Sequence, residues 1–219
     1  MLLTVLWIIG ITAEGMTGAL AAGRQKMDLF GVSVIACVTA IGGGSLRDVL
    51  LGHYPLVWVE KPHFLLLIIG AAILTVSISV LMQHFRTLFL VLDAVGLSAF
   101  AVIGTQIALE MGHGFIIAVV ASVLTGVFGG VLRDLLCDRI PLVFQNELYA
   151  SVAFLATCVY FLMMSLGASE NITVIVSVLI AFSTRLLSLW RGWALPVFDY
   201  QEREYKRDPR QRLWRMFRR

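Results

Sequence analysis

The stretch "GGGSLRDVLLGHYPLV" at residues 42–57 decides the fold, because a near copy, "GGVLRDLLCDRIPLV", follows at 129–143. A shift of 86 residues lays one on the other without a gap, with nine identities in the fifteen positions 43–57. Gly43, Gly44, Leu46, Arg47, Asp48, Leu50, Pro55, Leu56 and Val57 recur as Gly129, Gly130, Leu132, Arg133, Asp134, Leu136, Pro141, Leu142 and Val143. Apolar composition alone does not reproduce Arg, Asp and Pro in register. The same shift pairs Gly10 with Gly96, Ala13 with Ala99, Gly18 with Gly104 and Thr39 with Thr125.

Both copies lie in apolar surroundings. The 219-residue chain is 59% hydrophobic and only 14% charged, against roughly 25% charged in a soluble domain. Several runs approach the ~20 residues that cross a bilayer as helix, and nothing alternates as a barrel strand would. The expected class is an all-α integral membrane protein. Cys37, Cys137 and Cys158 are odd in number and lack metal-like spacing, so they read as free buried thiols. Residues 2–11 imitate a secretion signal, but there is no basic leader and Glu14 interrupts the run, so a retained helix is expected.

Seven spans are expected at about 2–23, 28–50, 63–82, 88–109, 114–137, 146–166 and 171–191, joined by short polar connections. Arg24, Lys26, Arg86, Arg139 and the basic tail then share one side, and among the loops only Lys61 faces the other. The richer side is expected to be cytoplasmic, with the N-terminus outside and the C-terminus inside. The tail from Asp199 to Arg219 holds eight basic and four acidic residues. Beside a membrane helix it reads as an anchor to anionic lipid, not as a nucleic-acid arm. The divisions are 1–86 and 87–168 for two three-helix repeats, 169–192 for the seventh helix and 193–219 for the tail.

A repeat of three spans enters the membrane from the opposite face in its second copy. Inverted repeats of this kind place an ion or substrate path at their interface, on discontinuous helices. The second and fifth helices are expected to break at Gly42, Gly43 and Gly44 and at Gly129 and Gly130. The alternative is that these glycines serve close helix packing. A central Arg or Asp costs about 2.5–3.5 kcal/mol on insertion scales, so all four charges need partners. Residues i and i+1 do not face each other on a helix. Crossed pairing between repeats is therefore expected, Arg47 with Asp134 and Asp48 with Arg133. Carbonyls freed at the breaks, with Thr39, Ser45, Ser122 and Thr125, could replace water around a monovalent cation.

Glu14 divides between path and structural partner, Asp93 between path and a helix cap or contact with Arg86, and Arg185 between path and snorkelling to the surface. His53, His63, His84 and His113 sit singly near loops and look interfacial. No nucleophile with its base, phosphate loop, cofactor motif or metal spacing appears, so an enzyme is not expected, nor any metal beyond passing monovalent cations.

The doubled Gly-Gly-x-Leu-Arg-Asp, each copy followed by Pro-Leu-Val in a 3+3+1 arrangement, resembles the prokaryotic trimeric intracellular cation (TRIC) channels. These overlap a bacterial family labelled as putative glycine transporters. The resemblance spans about residues 1–192. It implies a homotrimer with an ion path in each subunit, lined by the second and fifth helices and permeable to potassium and sodium. It also implies residence in a prokaryotic inner membrane. Animal members carry Lys-Glu-Val before the fifth-helix arginine, where this chain has Gly129, Gly130 and Val131 ahead of Leu132 and Arg133. The lysine tied to phosphoinositide binding in animals is thus absent. Three functions remain open: a potassium-permeable channel, a secondary transporter of a small amino acid such as glycine, and a non-conducting scaffold.

Overall fold

The computed structural model describes residues 2–79, 85–145 and 148–195. The tail expectation and His84 fall outside these residues. Eight α-helices and one 3-10 turn account for the regular structure, and no strand occurs among the described residues. In order they are α1 (Leu2–Arg24), α2 (Leu29–Leu51), α3 (Val57–Glu60), α4 (His63–Ser79), α5 (Phe85–Glu110), α6 (Phe115–Leu136), α7 (Ala150–Ser165) and α8 (Glu170–Arg191). Five of them, α1, α2, α5, α6 and α8, are long and apolar enough to cross a membrane. The other two expected spans are the shorter apolar helices α4 and α7, of 17 and 16 residues. At 1.5 Å per residue each reaches about 25 Å, short of a ~30 Å hydrocarbon core. The Pro-Leu-Val segments, expected as loops, fold into α3 and the 3-10 turn Leu142–Phe144.

Local chemistry sets the helix ends. Asp28 caps α2 by accepting a hydrogen bond from the Gly31 N–H at 2.7 Å. Gly52 closes the same helix in the left-handed region (φ 71°), where a residue without Cβ is unstrained. Pairing of the ends sorts the long helices into two faces. The Gln25 side-chain amide donates to the Cys137 carbonyl, and the Arg24 guanidinium lies 5.2 Å from the Phe89 ring centre. The C-terminal ends of α1 and α6 and the start of α5 therefore share one face. Ala108, Ala118 and Ala121 pack with Leu51 and Phe161 toward the other.

The glycine motif does not break its helices. Both α2 and α6 run as continuous α-helix through Gly42–Gly44 and Gly129–Gly130. What the glycines permit is close approach. A Cβ on Gly43 would stand 2.6 Å from the Thr125 carbonyl oxygen, and one on Gly129 would overlap the Thr39 carbonyl oxygen. The two helices cross there, backbone against backbone, the use that small residues serve between membrane helices. These contacts are reciprocal under the 86-residue shift, since 43 faces 125 and 129 faces 39. Two further pairs behave likewise. Gly18 packs on the Thr39 hydroxyl and Gly104 on that of Thr125, while Gly10 packs on Phe100 and Gly96 on Glu14.

A candidate ion-path site at the crossing of α2 and α6

From the crossing, Arg47 and Arg133 each lie four residues further along their own helix. Each is thus about 6 Å along the axis, and because α2 and α6 run oppositely, the two arginines are on opposite sides of the crossing. This geometry overturns the crossed pairing expected from sequence. Arg47 donates from Nε and Nη2 to Asp48 Oδ1 at 2.9 and 2.6 Å. Arg133 donates from Nε to Asp134 Oδ1 at 2.9 Å and from Nη2 to Oδ2 at 3.3 Å. The i,i+1 rule holds for Cβ directions. The long arginine stem lets the guanidinium fold back around the helix to its neighbour, and in a buried site that neighbour is a charge within its reach.

Beyond this shared element the two ends differ. Arg47 is fully buried and adds one hydrogen bond, from Nη1 to Thr125 Oγ1 at 3.3 Å. Its guanidinium lies 5.9 Å from the Trp7 ring centre, and Trp7 stacks edge-on against Phe100. Asp48 also meets the His53 ring at 3.0 Å, so His53 is a partner of the pair and not only an interfacial residue. Arg133, also fully buried, collects three carboxylates. Its Nη1 donates to Asp93 Oδ1 at 2.9 Å and to Thr17 Oγ1 at 3.0 Å, and it stands 3.7 Å from Glu14 Oε2. The Thr17 hydroxyl lies 2.9 Å from Glu14 Oε2 and ties that carboxylate to the set. Asp93 therefore pairs with Arg133, where contact with Arg86 had been one expectation. The shift by 86 explains the asymmetry, because Trp7, Phe100 and Ile103 occupy the positions equivalent to Asp93, Glu14 and Thr17.

The expected hydroxyls are already engaged. Thr39 and Thr125 donate back to the Ile35 and Ala121 carbonyls at 2.6 Å, each four residues earlier. Ser122 donates to the Ala153 carbonyl at 3.0 Å and ties α6 to α7. Ser45 accepts from the Trp58 indole at 3.1 Å. Gly42 faces the tip of Leu132, and Gly44 has only ordinary contacts with Trp7 and Arg47. Arg185 does not snorkel outward. It is buried, donates from Nη1 to the Leu148 carbonyl at 3.2 Å and lies over the Tyr149 ring at 4.7 Å. All three cysteines are free.

Spaces lie on both sides of the crossing. A cavity of about 580 Å³ opens at the basic face, lined by Arg24, Arg86, Phe89, Asp134 and Arg139 among others. A much smaller one, about 10 Å³, touches Trp7, Gly44, Ser45, Asp48 and Trp58. Asp134 thus joins the larger cavity to the Arg133 set. Thr17 and Tyr149 were not singled out in the sequence. A legible signal for the set did exist: Glu14 and Asp93 are charges in apolar spans with no charged counterpart 86 residues away.

The model of the family described as "Glycine transporter" matches the chain twice, over residues 4–79 and 90–165, two segments displaced by 86 residues. The chain belongs to this family. Among its relatives, the Escherichia coli inner membrane protein YadS is 37% identical over 211 residues, covering 92% of this chain and 99% of that protein. The Bacillus subtilis membrane protein YvgT is 36% identical over 193 residues, covering 88% and 94%. The chain is also similar to solved structures of prokaryotic TRIC channels. The TRIC trimeric intracellular cation channel orthologue from Rhodobacter sphaeroides superposes with a TM-score of 0.84 at 37% identity, covering 87% of this chain and 98% of that one. A prokaryotic TRIC channel crystallised in 0.5 M KCl gives 0.83 at 32% identity, covering 89% and 99%.

Proposed function

We propose that this family member is a homotrimeric, potassium-permeable monovalent-cation channel of a prokaryotic inner membrane, with an ion path inside each subunit. The observation that carries the reading is the likeness, at 37% identity and a TM-score of 0.84, to a TRIC cation channel. The path runs along α2 and α6 past the crossing at Gly43 and Gly129, between the two cavities. Its charged walls are the Arg47–Asp48 and Arg133–Asp134 pairs. Because each guanidinium is matched by a carboxylate, the pairs leave no bare positive charge to repel a cation. The reciprocal glycine contacts and the doubled family match support an inverted repeat, 1–86 against 87–168, with α8 added. The face holding Arg24, Arg86 and Arg139 is then cytoplasmic, and the tail beyond residue 192 meets anionic lipid there.

Transport of a small amino acid such as glycine is the second reading, favoured by the description of the matching family. Inverted repeats suit alternating access as well as conduction. Recording from the purified protein in planar bilayers separates the two. Discrete unitary potassium currents are expected, and saturable glycine uptake without unitary currents would reject the channel.

A further inference from the structure

The Arg133 set has three carboxylates to one guanidinium and is short of hydrogen bonds at one spot. Among the described residues, three carboxylates (Glu14, Asp93 and Asp134) meet the Arg133 guanidinium, and all four side chains are nearly or fully buried. Asp93 spends Oδ1 on Arg133, while its Oδ2 is buried with no hydrogen-bond partner among the described residues. The Tyr149 hydroxyl is an independent second case, on the segment leading into α7 and also buried without a partner among the described residues. It borders the same space as the guanidinium, since a Cβ added at Gly130 would stand 3.2 Å from that hydroxyl and 3.4 Å from Arg133 Nη2. Buried oxygens without partners are costly where no water competes. Both orphans are oxygens, the ligand type of hard cations.

We propose that Glu14, Asp93 Oδ2 and the Tyr149 hydroxyl form a binding site for one monovalent cation, reached from the 580 Å³ cavity past Asp134. The other end of the crossing has no equivalent, because Trp7 and Phe100 replace the two extra carboxylates. The site is therefore one-sided, placed toward the basic face only. A cation passing the arginine-lined mouth gains a buried negative cluster before the glycine crossing. The identity of the ion as a permeant one rests on the channel reading, but its binding does not.

The test is thermal unfolding of the purified full chain in detergent, with potassium replacing N-methyl-D-glucamine at fixed pH and ionic strength. The apparent Tm is expected to rise saturably with potassium. Glu14→Gln and Tyr149→Phe should each raise the half-saturating concentration by about tenfold, in the range found when a partner of a metal site is lost, and the control Glu60→Gln, at the exposed end of α3, should not. Tyr149→Phe removes a hydroxyl that bonds nothing among the described residues, so its folding is expected to survive. An equal rise in N-methyl-D-glucamine, or a potassium response unchanged in both variants, overturns the site. So does stabilisation reached by acidification alone, which would assign the missing charge to a proton. Bilayer currents report on the channel reading separately, since a potassium-dependent Tm without unitary currents rejects conduction and keeps the site.

Discussion

Adjacent glycines in one motif should respond oppositely to the same substitution. In Gly43→Ala the new Cβ meets the Thr125 carbonyl oxygen at 2.6 Å and that of Leu124 at 2.8 Å, whereas in Gly44→Ala the nearest atom is a Trp7 ring carbon at 3.7 Å. Ordinary contact begins near 3.4 Å, so Gly43→Ala must push α2 and α6 apart by about 0.8 Å at their crossing. The opposing atoms are backbone and cannot rotate away. Overpacking of this kind costs about 1–3 kcal/mol, while alanine in a helix interior regains about 0.5–1 kcal/mol of backbone entropy over glycine. At position 44 only the gain remains. The gain is common to both, so the two variants should lie about 1–3 kcal/mol apart, and each kcal/mol moves Tm by about 2–4 °C for a chain of this size. Thermal unfolding of the purified variants in detergent reads the difference directly, with Gly43→Ala below wild type and Gly44→Ala at or above it. Equal Tm values for the two, or a lower one for Gly44→Ala, would refute the close crossing and with it the reason for continuous helices.

The asymmetry of the two arginines predicts unequal losses. Arg133→Gln strands three buried carboxylates and should cost about 3–5 kcal/mol or prevent folding, whereas Arg47→Gln strands only Asp48, which keeps His53, and should cost clearly less. A larger loss of Tm or expression for Arg47→Gln would contradict this. Charge reversal across the repeats, Arg47→Asp with Asp134→Arg, should show no rescue in a double-mutant cycle on unfolding. A favourable coupling above about 1 kcal/mol would restore the crossed pairing. Ser122→Ala removes the bond to the Ala153 carbonyl that ties α6 to α7. It should lower stability by about 1 kcal/mol while leaving unitary conductance unchanged, and a changed conductance would mean that this hydroxyl touches the ion.

By itself the sequence determined the class, the long apolar helices and the duplicated motif, because hydrophobic length and an in-register Arg-Asp-Pro match are one-dimensional properties. It also determined that the four motif charges needed partners, since burial in an apolar chain leaves no other solution. Which partners they take was decided only in three dimensions. Opposed helix directions put Arg47 and Arg133 on opposite sides of the crossing, and arginine stems are long enough to reach back to their own neighbours. The role of the glycines was likewise undecided in one dimension. A helix break and a close helix contact call for the same residue, and only the placement of the Thr39 and Thr125 carbonyls against Gly129 and Gly43 selects the contact. Glu14 and Asp93 were visible as lone charges, yet their shared arginine stands on a third helix, at a distance that no local spacing encodes.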